Sequence, residues 1–187
     1  SGHISKVGYN LYCQMFNEEL NSARGKPGPL SIPKITYFGD ASLKKGYMPL
    51  SQDRLFYYQR LSSVKVKKDL SNVKKEIKDR FGKPGAGARN LYKITALRLA
   101  YTNTIINKIF VEKDRAVLFL KEGTQKTTNE LDIERLMKAL ENARIKYVFK
   151  QKNKDSFGLE LICGAREEPL KMLIQHAEIF YYNNNNT

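Results

Sequence analysis

The sequence predicts an α+β fold: a helical N-terminal half packed on antiparallel β-hairpins with interleaved helices. Three observations carry this. Apolar residues recur at helical spacing through most of residues 51–103. β-Branched and aromatic residues dominate 106–120 and 146–163, each stretch interrupted by a polar turn. Helical spacing returns at 131–143 and at 169–182, so helices and strands alternate in the second half.

Residues 5–24 read as a helix, with Leu11 and Met15, and Phe16 and Leu20, each four apart on an apolar side. The run Gly25 to Pro29 ends it, because two prolines and two glycines cannot continue a helix. This is the clearest boundary in the chain, and it makes 1–25 a connector from something upstream and 30–187 the domain proper. Residues 30–38 suggest a short strand that Pro33 confines to a sheet edge. An extended loop around Tyr47-Met48-Pro49 leads to a helix pair at about 51–82.

The second helix of that pair sorts its charges by face. Leu70, Val73, Ile77 and Phe81 form one apolar stripe. At about 100° per residue, Glu76, Asp79 and Arg80 fall on one flank and the outer face, and Lys74, Lys75 and Lys78 on the other. Gly82 is a helix stop. The Glu–Asp–Arg patch can meet a partner; equally, Glu76 and Arg80 can be a solvated i,i+4 pair worth about 0.2–0.5 kcal/mol.

Lys83 to Gly87 is a second breaker. Residues 88–103 follow as a helix with Leu91, Ile94, Leu97, Leu99 and Tyr101 spread around the wheel, the pattern of a core helix. INKIFVEKDRAVLFL (106–120) forms a hairpin turning at Lys113-Asp114. Residues 131–143 form a helix with Ile133, Leu136, Met137 and Leu140 inward and Asn129 as N-cap. Residues 146–163 form a second hairpin around KNKDS. Pro169 opens a closing helix over 169–182.

At 187 residues and 41% hydrophobic, the chain can bury a core. No apolar run is long enough to span a membrane, and no apolar leader segment precedes the first helix. Two cysteines, Cys13 and Cys163, are too few and too far apart to staple the domain, which fits a reducing cytoplasm. Net charge is +14, and it is uneven: residues 1–104 hold 19 Lys+Arg against 7 Asp+Glu, residues 105–187 hold 14 against 12. The excess suits a nucleic-acid surface, with Arg60, Lys65, Lys67, Lys68, Lys74, Lys75 and Lys78 as phosphate contacts. It also suits a bias towards Lys, Asn, Ile and Tyr without any binding role.

Catalytic patterns are missing. There is no GxxxxGK[ST] loop, and the Gly-rich run KPGAGARN (83–90) has the wrong spacing and reads as a helix–helix linker. His3 and His176 have no Cys or His at ligand spacing, so no metal or other cofactor is expected. Carboxylate pairs such as Asp132/Glu134 sit at helix starts, where they offset the macrodipole.

Three ordered stretches carry a resemblance: GHISKVGYNLYCQMFNEEL (2–20), DRLFYYQRLSS…VKKEIKDRFG (53–82) and NLYKITALRLAYTNTIINKI (90–109). Together they resemble the end of the bacterial transcription-repair coupling factors (Mfd proteins), from the segment after the translocase motor into the C-terminal (TRCF) domain. The signature there is R-L-x-x-Y-x-R-L leading into E-L-x-D-R-F-G, and Tyr47-Met48-Pro49 is similar to the family's Y-I-P element. Two departures stand out: Lys44-Lys45 precede that element where acidic residues are usual, and the third helix ends at Asn103-Thr104-Ile105 without the family's glycine.

The resemblance implies a regulatory, autoinhibitory domain that is not itself an enzyme. It would pack on the UvrB-like N-terminal module of the same chain and mask the surface that recruits UvrA. Release would come when the parent, an ATP-dependent DNA translocase, engages DNA and stalled RNA polymerase in nucleotide-excision repair. Glu76, Asp79 and Arg80 match the positions that would make the intramolecular interface. The alternative is a basic domain that contacts DNA phosphates directly.

Overall fold

The computed structural model describes residues 31–120, 130–153, 156–164 and 167–181. The helix expected over 5–24, the Asn129 cap, the centre of the KNKDS turn and the side chain of Ile133 lie outside the described residues. The stretch expected as one domain over 30–187 clusters into two units: Gly39–Leu99, and Leu30–Phe38 with Ala100–Thr187.

The first unit is three helices and a strapped loop. α1 (Ser51–Ser63) and α2 (Lys67–Phe81) are the expected pair. Leu70, Val73 and Ile77 of the stripe are buried, and Phe81 is half-buried. Gly82, at φ 81°, ends α2 in the left-handed region that glycine enters without steric cost, and its N–H donates to Lys78 O at 2.9 Å. α3 (Ala86–Tyr101) buries Leu91, Ile94 and Leu97.

Much of the signature is spent on holding this unit together. Arg54 Nη1 donates to the carbonyls of Met48 and Pro49 at 2.7 Å each, tying the loop to α1. Tyr58 OH accepts from Leu43 N–H at 2.9 Å. Tyr47 OH donates to Gly82 O at 2.9 Å, and Asn90 Nδ2 to Asp40 O at 2.9 Å. The guanidinium of Arg98 is buried, and its Nη2 donates to Leu61 O (3.1 Å) and Val64 O (2.7 Å), so it answers carbonyls that the end of α1 leaves open.

α3 starts at Ala86, two residues before the expected start, so the Gly-rich run is largely a helix's first turn. A Cβ at Gly87 would lie 2.7 Å from Ser42 O and 3.0 Å from Asp40 Oδ1. The glycine is there because the loop backbone comes that close.

Among the described residues, the second unit is a five-stranded sheet with two helices. Its strands are β1 (Lys34–Tyr37), β2 (Ile106–Val111), β3 (Arg115–Leu120), β4 (Lys146–Asn153) and β5 (Ser156–Ile162), in the order β1-β2-β3-β5-β4. The two hairpins form as expected, and pairing of β3 with β5 joins them into one sheet. β1 pairs parallel to β2 and takes the edge that Pro33 requires. α4 (Glu130–Asn142) packs on β4 and on the 3-10 turn Ala177–Phe180, with Leu136 and Leu140 buried. α5 (Pro169–Gln175) is shorter than the helix expected over 169–182. The chain leaves helical geometry at His176 (φ −112°, ψ 20°). Beyond it, Phe180 O accepts from Ile105 N–H at 3.0 Å and Tyr181 bridges Thr104. The Ile105 N–H near the start of β2 replaces the N–H that a longer helix would have offered Phe180 O.

Asn103 resolves the missing glycine after α3. It sits at φ 63°, a region that Asn enters more readily than other non-glycine residues. Its N–H donates to Ser31 O at 2.8 Å and its Oδ1 accepts from Ser31 N–H at 3.0 Å, so its side chain also braces the turn.

The substitution Gly87→Ala should lower unfolding free energy by about 1–3 kcal/mol, the usual cost of overpacking against backbone. Urea denaturation followed by circular dichroism measures this. A loss below about 0.5 kcal/mol would mean that the loop moves aside.

Candidate functional site

The charged patch of α2 faces α1, and the two helices share it. Asp53, Tyr57 and Arg60 lie on one side of α1 at spacings of four and three. They meet Glu76 and Arg80, which are four apart on α2. Tyr57 OH donates to Glu76 Oε1 at 2.8 Å and accepts from Arg80 Nη1 at 2.9 Å. Arg60 Nη1 donates to Glu76 Oε2. Arg80 Nη2 lies 3.6 Å from Asp53 Oδ1. The result is a continuous polar chain, Arg60–Glu76–Tyr57–Arg80–Asp53, with each acid beside a cation.

Rings hold the chain from the sides. Tyr57 meets Phe81 edge-on at 5.9 Å and Phe56 edge-on at 5.1 Å. The Arg80 guanidinium lies 5.0 Å from the Phe81 centroid and Arg60 5.5 Å from that of Phe56. The geometry shifts the titrations. Arg60, then Tyr57, hold the Glu76 carboxyl below its ordinary value. Burial first, and then Glu76, push the Tyr57 phenol up.

The structure therefore divides the three expected interface residues. Glu76 and Arg80 are engaged by α1, while Asp79 is exposed, with no ion-pair partner among the described residues. Arg60, placed among the phosphate contacts, has its charge matched by Glu76. Lys74 lies 5.7 Å from the Tyr92 ring centroid, and partial burial lowers its pKa. Lys65, Lys67, Lys68, Lys75 and Lys78 are exposed and without ion pairs among the described residues. Sequence reasoning missed Asp53 and Tyr57. Their i, i+4, i+7 spacing with Arg60 was the available signal, because it puts all three on one face of α1.

No group of three His, Cys, Asp or Glu among the described residues could hold a metal ion. Cys163 is buried, its thiol pushed up to about 11 chiefly by that burial, so it stays protonated at neutral pH. No described helix is long and apolar enough to cross a membrane.

Comparison with known proteins follows the same helices and loop. The TRCF domain family matches residues 39–131, which contain the strapped loop, the α1–α2 face and α3. Residues 39–131 are a TRCF domain. The transcription-repair-coupling factor of Myxococcus xanthus is 25% identical over 121 residues, covering 64% of this chain and 10% of the relative. That of Staphylococcus aureus strain USA300 is 28% identical over 141 residues, covering 74% and 12%. This TRCF chain thus spans about a tenth of the length of the curated relatives it matches. Among solved structures, a crystal structure of the C-terminal domain of transcription-repair coupling factor matches 80% of the chain and 96% of its own length. Its TM-score is 0.64 at 16% identity, a likeness of fold that agrees with the α+β class.

Substituting Glu76→Gln should lower stability by about 0.5–1 kcal/mol at neutral pH, a small figure because the site is partly solvated. The sign with pH follows from the depressed pKa. The carboxylate's contribution is present above the unfolded value, near about 4.3, and is lost as pH falls through the lower folded value. Thermal melts of wild type and variant should therefore differ at pH 7 and converge in acid. A difference that grows in acid would overturn this account.

Proposed function

We propose that this TRCF domain is the C-terminal regulatory part of a transcription-repair coupling factor. It masks the UvrA-recruiting surface of a UvrB-like module in the same chain until the ATP-dependent translocase engages DNA and stalled RNA polymerase. Residues 1–25 are the connector from the motor and 30–187 the regulatory domain, which carries no catalytic role and works in the cytoplasm. The observation that carries the reading is the α1–α2 face. Its Glu76 and Arg80 are held in place by partners within the domain, and Asp79 beside them is exposed with no such partner among the described residues. An ordered patch of this kind makes charge-assisted hydrogen bonds at low entropic cost and releases them when the partner moves.

Asp79→Arg separates masking from folding, because Asp79 supports no described contact. In the full-length protein it should raise UvrA affinity about tenfold, the equivalent of one lost charge-assisted contact. Surface plasmon resonance reads the affinity, and melting of this chain should be unchanged. If reversing Glu76, Asp79 and Arg80 together left UvrA binding unaltered, the masking role would be abandoned.

One observation favours a second reading, direct contact with duplex DNA. Lys65 just before α2 and Lys67 and Lys68 in its first turn crowd the helix N-terminus, where the macrodipole favours an anion. Duplex affinity should then fall with salt by about 0.9 log units per log unit of salt for each phosphate neutralised. Reversing these three lysines should make that slope shallower by about 2.7. Anisotropy of a labelled duplex measures it, and an unchanged slope rejects this reading.

A further inference from the structure

The two faces of the five-stranded sheet differ in chemistry. Ile109, Leu118 and Leu159 on one face are fully buried. On the opposite face, Phe110 of β2 and Phe119 of β3 are diagonal neighbours, their rings 5.7 Å apart and edge-on at 80°. Both are only half-buried, and Val148 and Ile162 on the same face are 47% and 42% exposed. Phe119 pairs across the ladder with Gly158, and a Cβ there would lie 3.1 Å from the ring. The glycine lets the aromatic ring lie down on β5 rather than stand off it.

Cations surround these rings. The register sets Lys34 beside Lys108 at one side, and Lys146 and Lys150 along β4 at the other. Among the described residues, the carboxylates that reach this face are already matched. Glu160 is paired with Arg115 (3.2 Å) and with Lys150, and Glu112 accepts from Arg115 at 2.8 Å. Lys34, Lys108 and Lys146 are exposed and have no ion pair among the described residues. Among the described residues, five cations against two carboxylates leave the face positive.

We propose that this face binds single-stranded DNA, with bases stacking on Phe119 and Phe110 and phosphates held by Lys34, Lys108 and Lys146. Protein interfaces are depleted in lysine, whereas platforms for single strands combine rings with cations. A duplex keeps its base faces stacked inside, so rings on a flat sheet serve it poorly. Among the described residues, Thr36 is the only neutral hydrogen-bonding side chain that the register sets beside Phe110, which leaves little to grip a 2′-hydroxyl. The apolar Val117 and Val148 nearby suit a thymine methyl.

The test is fluorescence anisotropy of this chain with a short oligothymidylate, an oligouridylate of the same length and a duplex, across a salt series. Oligothymidylate should bind most tightly, with a slope of about −0.7 per phosphate neutralised. Phe119→Leu keeps an apolar side chain but removes the stacking surface, and should weaken binding at least fivefold. Lys34→Glu with Lys108→Glu, both exposed, should keep the melting temperature, weaken binding and make the slope shallower by about 1.4. Reversing Lys65, Lys67 and Lys68 should leave oligothymidylate binding unchanged, which separates this site from the α2 lysines. Absent binding at low salt, wild-type affinity in both the Phe119 and the double-lysine variants, or tighter binding of oligouridylate or duplex would each overturn the proposal.

Discussion

The Tyr57 ring is closed to solvent, yet its hydroxyl is a polar group that must find partners. Glu76 and Arg80 supply them from α2, one as acceptor and one as donor. A hydroxyl can do both at once, so one side chain sets the register of the two helices. The remaining contacts depend on that register. It brings Phe81 edge-on to Tyr57 and stacks Arg80 on Phe81. Gly82, which ends α2, presents its carbonyl to the Tyr47 hydroxyl. Through Tyr47 and Arg54 the loop before α1 is tied to the same helix pair.

This arrangement changes what the charged patch means. A solvated Glu–Arg pair on one helix would be mobile and weak. Here each group answers a second helix, so the charges are held in fixed places before any partner arrives. Order established during folding does not have to be established again on binding, which is how a modest number of contacts can hold a partner yet release it. The same economy explains why Glu76 and Arg80 are poor places to separate folding from function, and why the exposed Asp79 is a better one.

Charge is distributed differently in the second unit. Glu160, nearly buried among strands, is neutralised by Arg115 and Lys150, which also hold its carboxyl below the ordinary value, Lys150 foremost. The cations at the margins of the same face have no such counterparts among the described residues. Burial decides which charges are spent inside the domain, and exposure decides which stay available to an outside anion.

Elements that local chemistry dictates can be read from the residues alone. Pro33 confines β1 to an edge, Gly82 stops α2, and the 3.6-residue stripes of α2 and α3 mark their buried faces. The ordered signature was legible too, as a resemblance carried by residue identities and their spacing. Pairings between distant residues emerge only in the folded chain. The joining of β3 to β5, the parallel placement of β1, the early end of α5 at His176 and the meeting of Tyr57 with Glu76 and Arg80 all depend on partners far along the chain. The physical reason is common to them. A helical wheel records which direction a side chain points, but a hydrogen bond needs a second atom within about 3 Å, and folding alone brings it there.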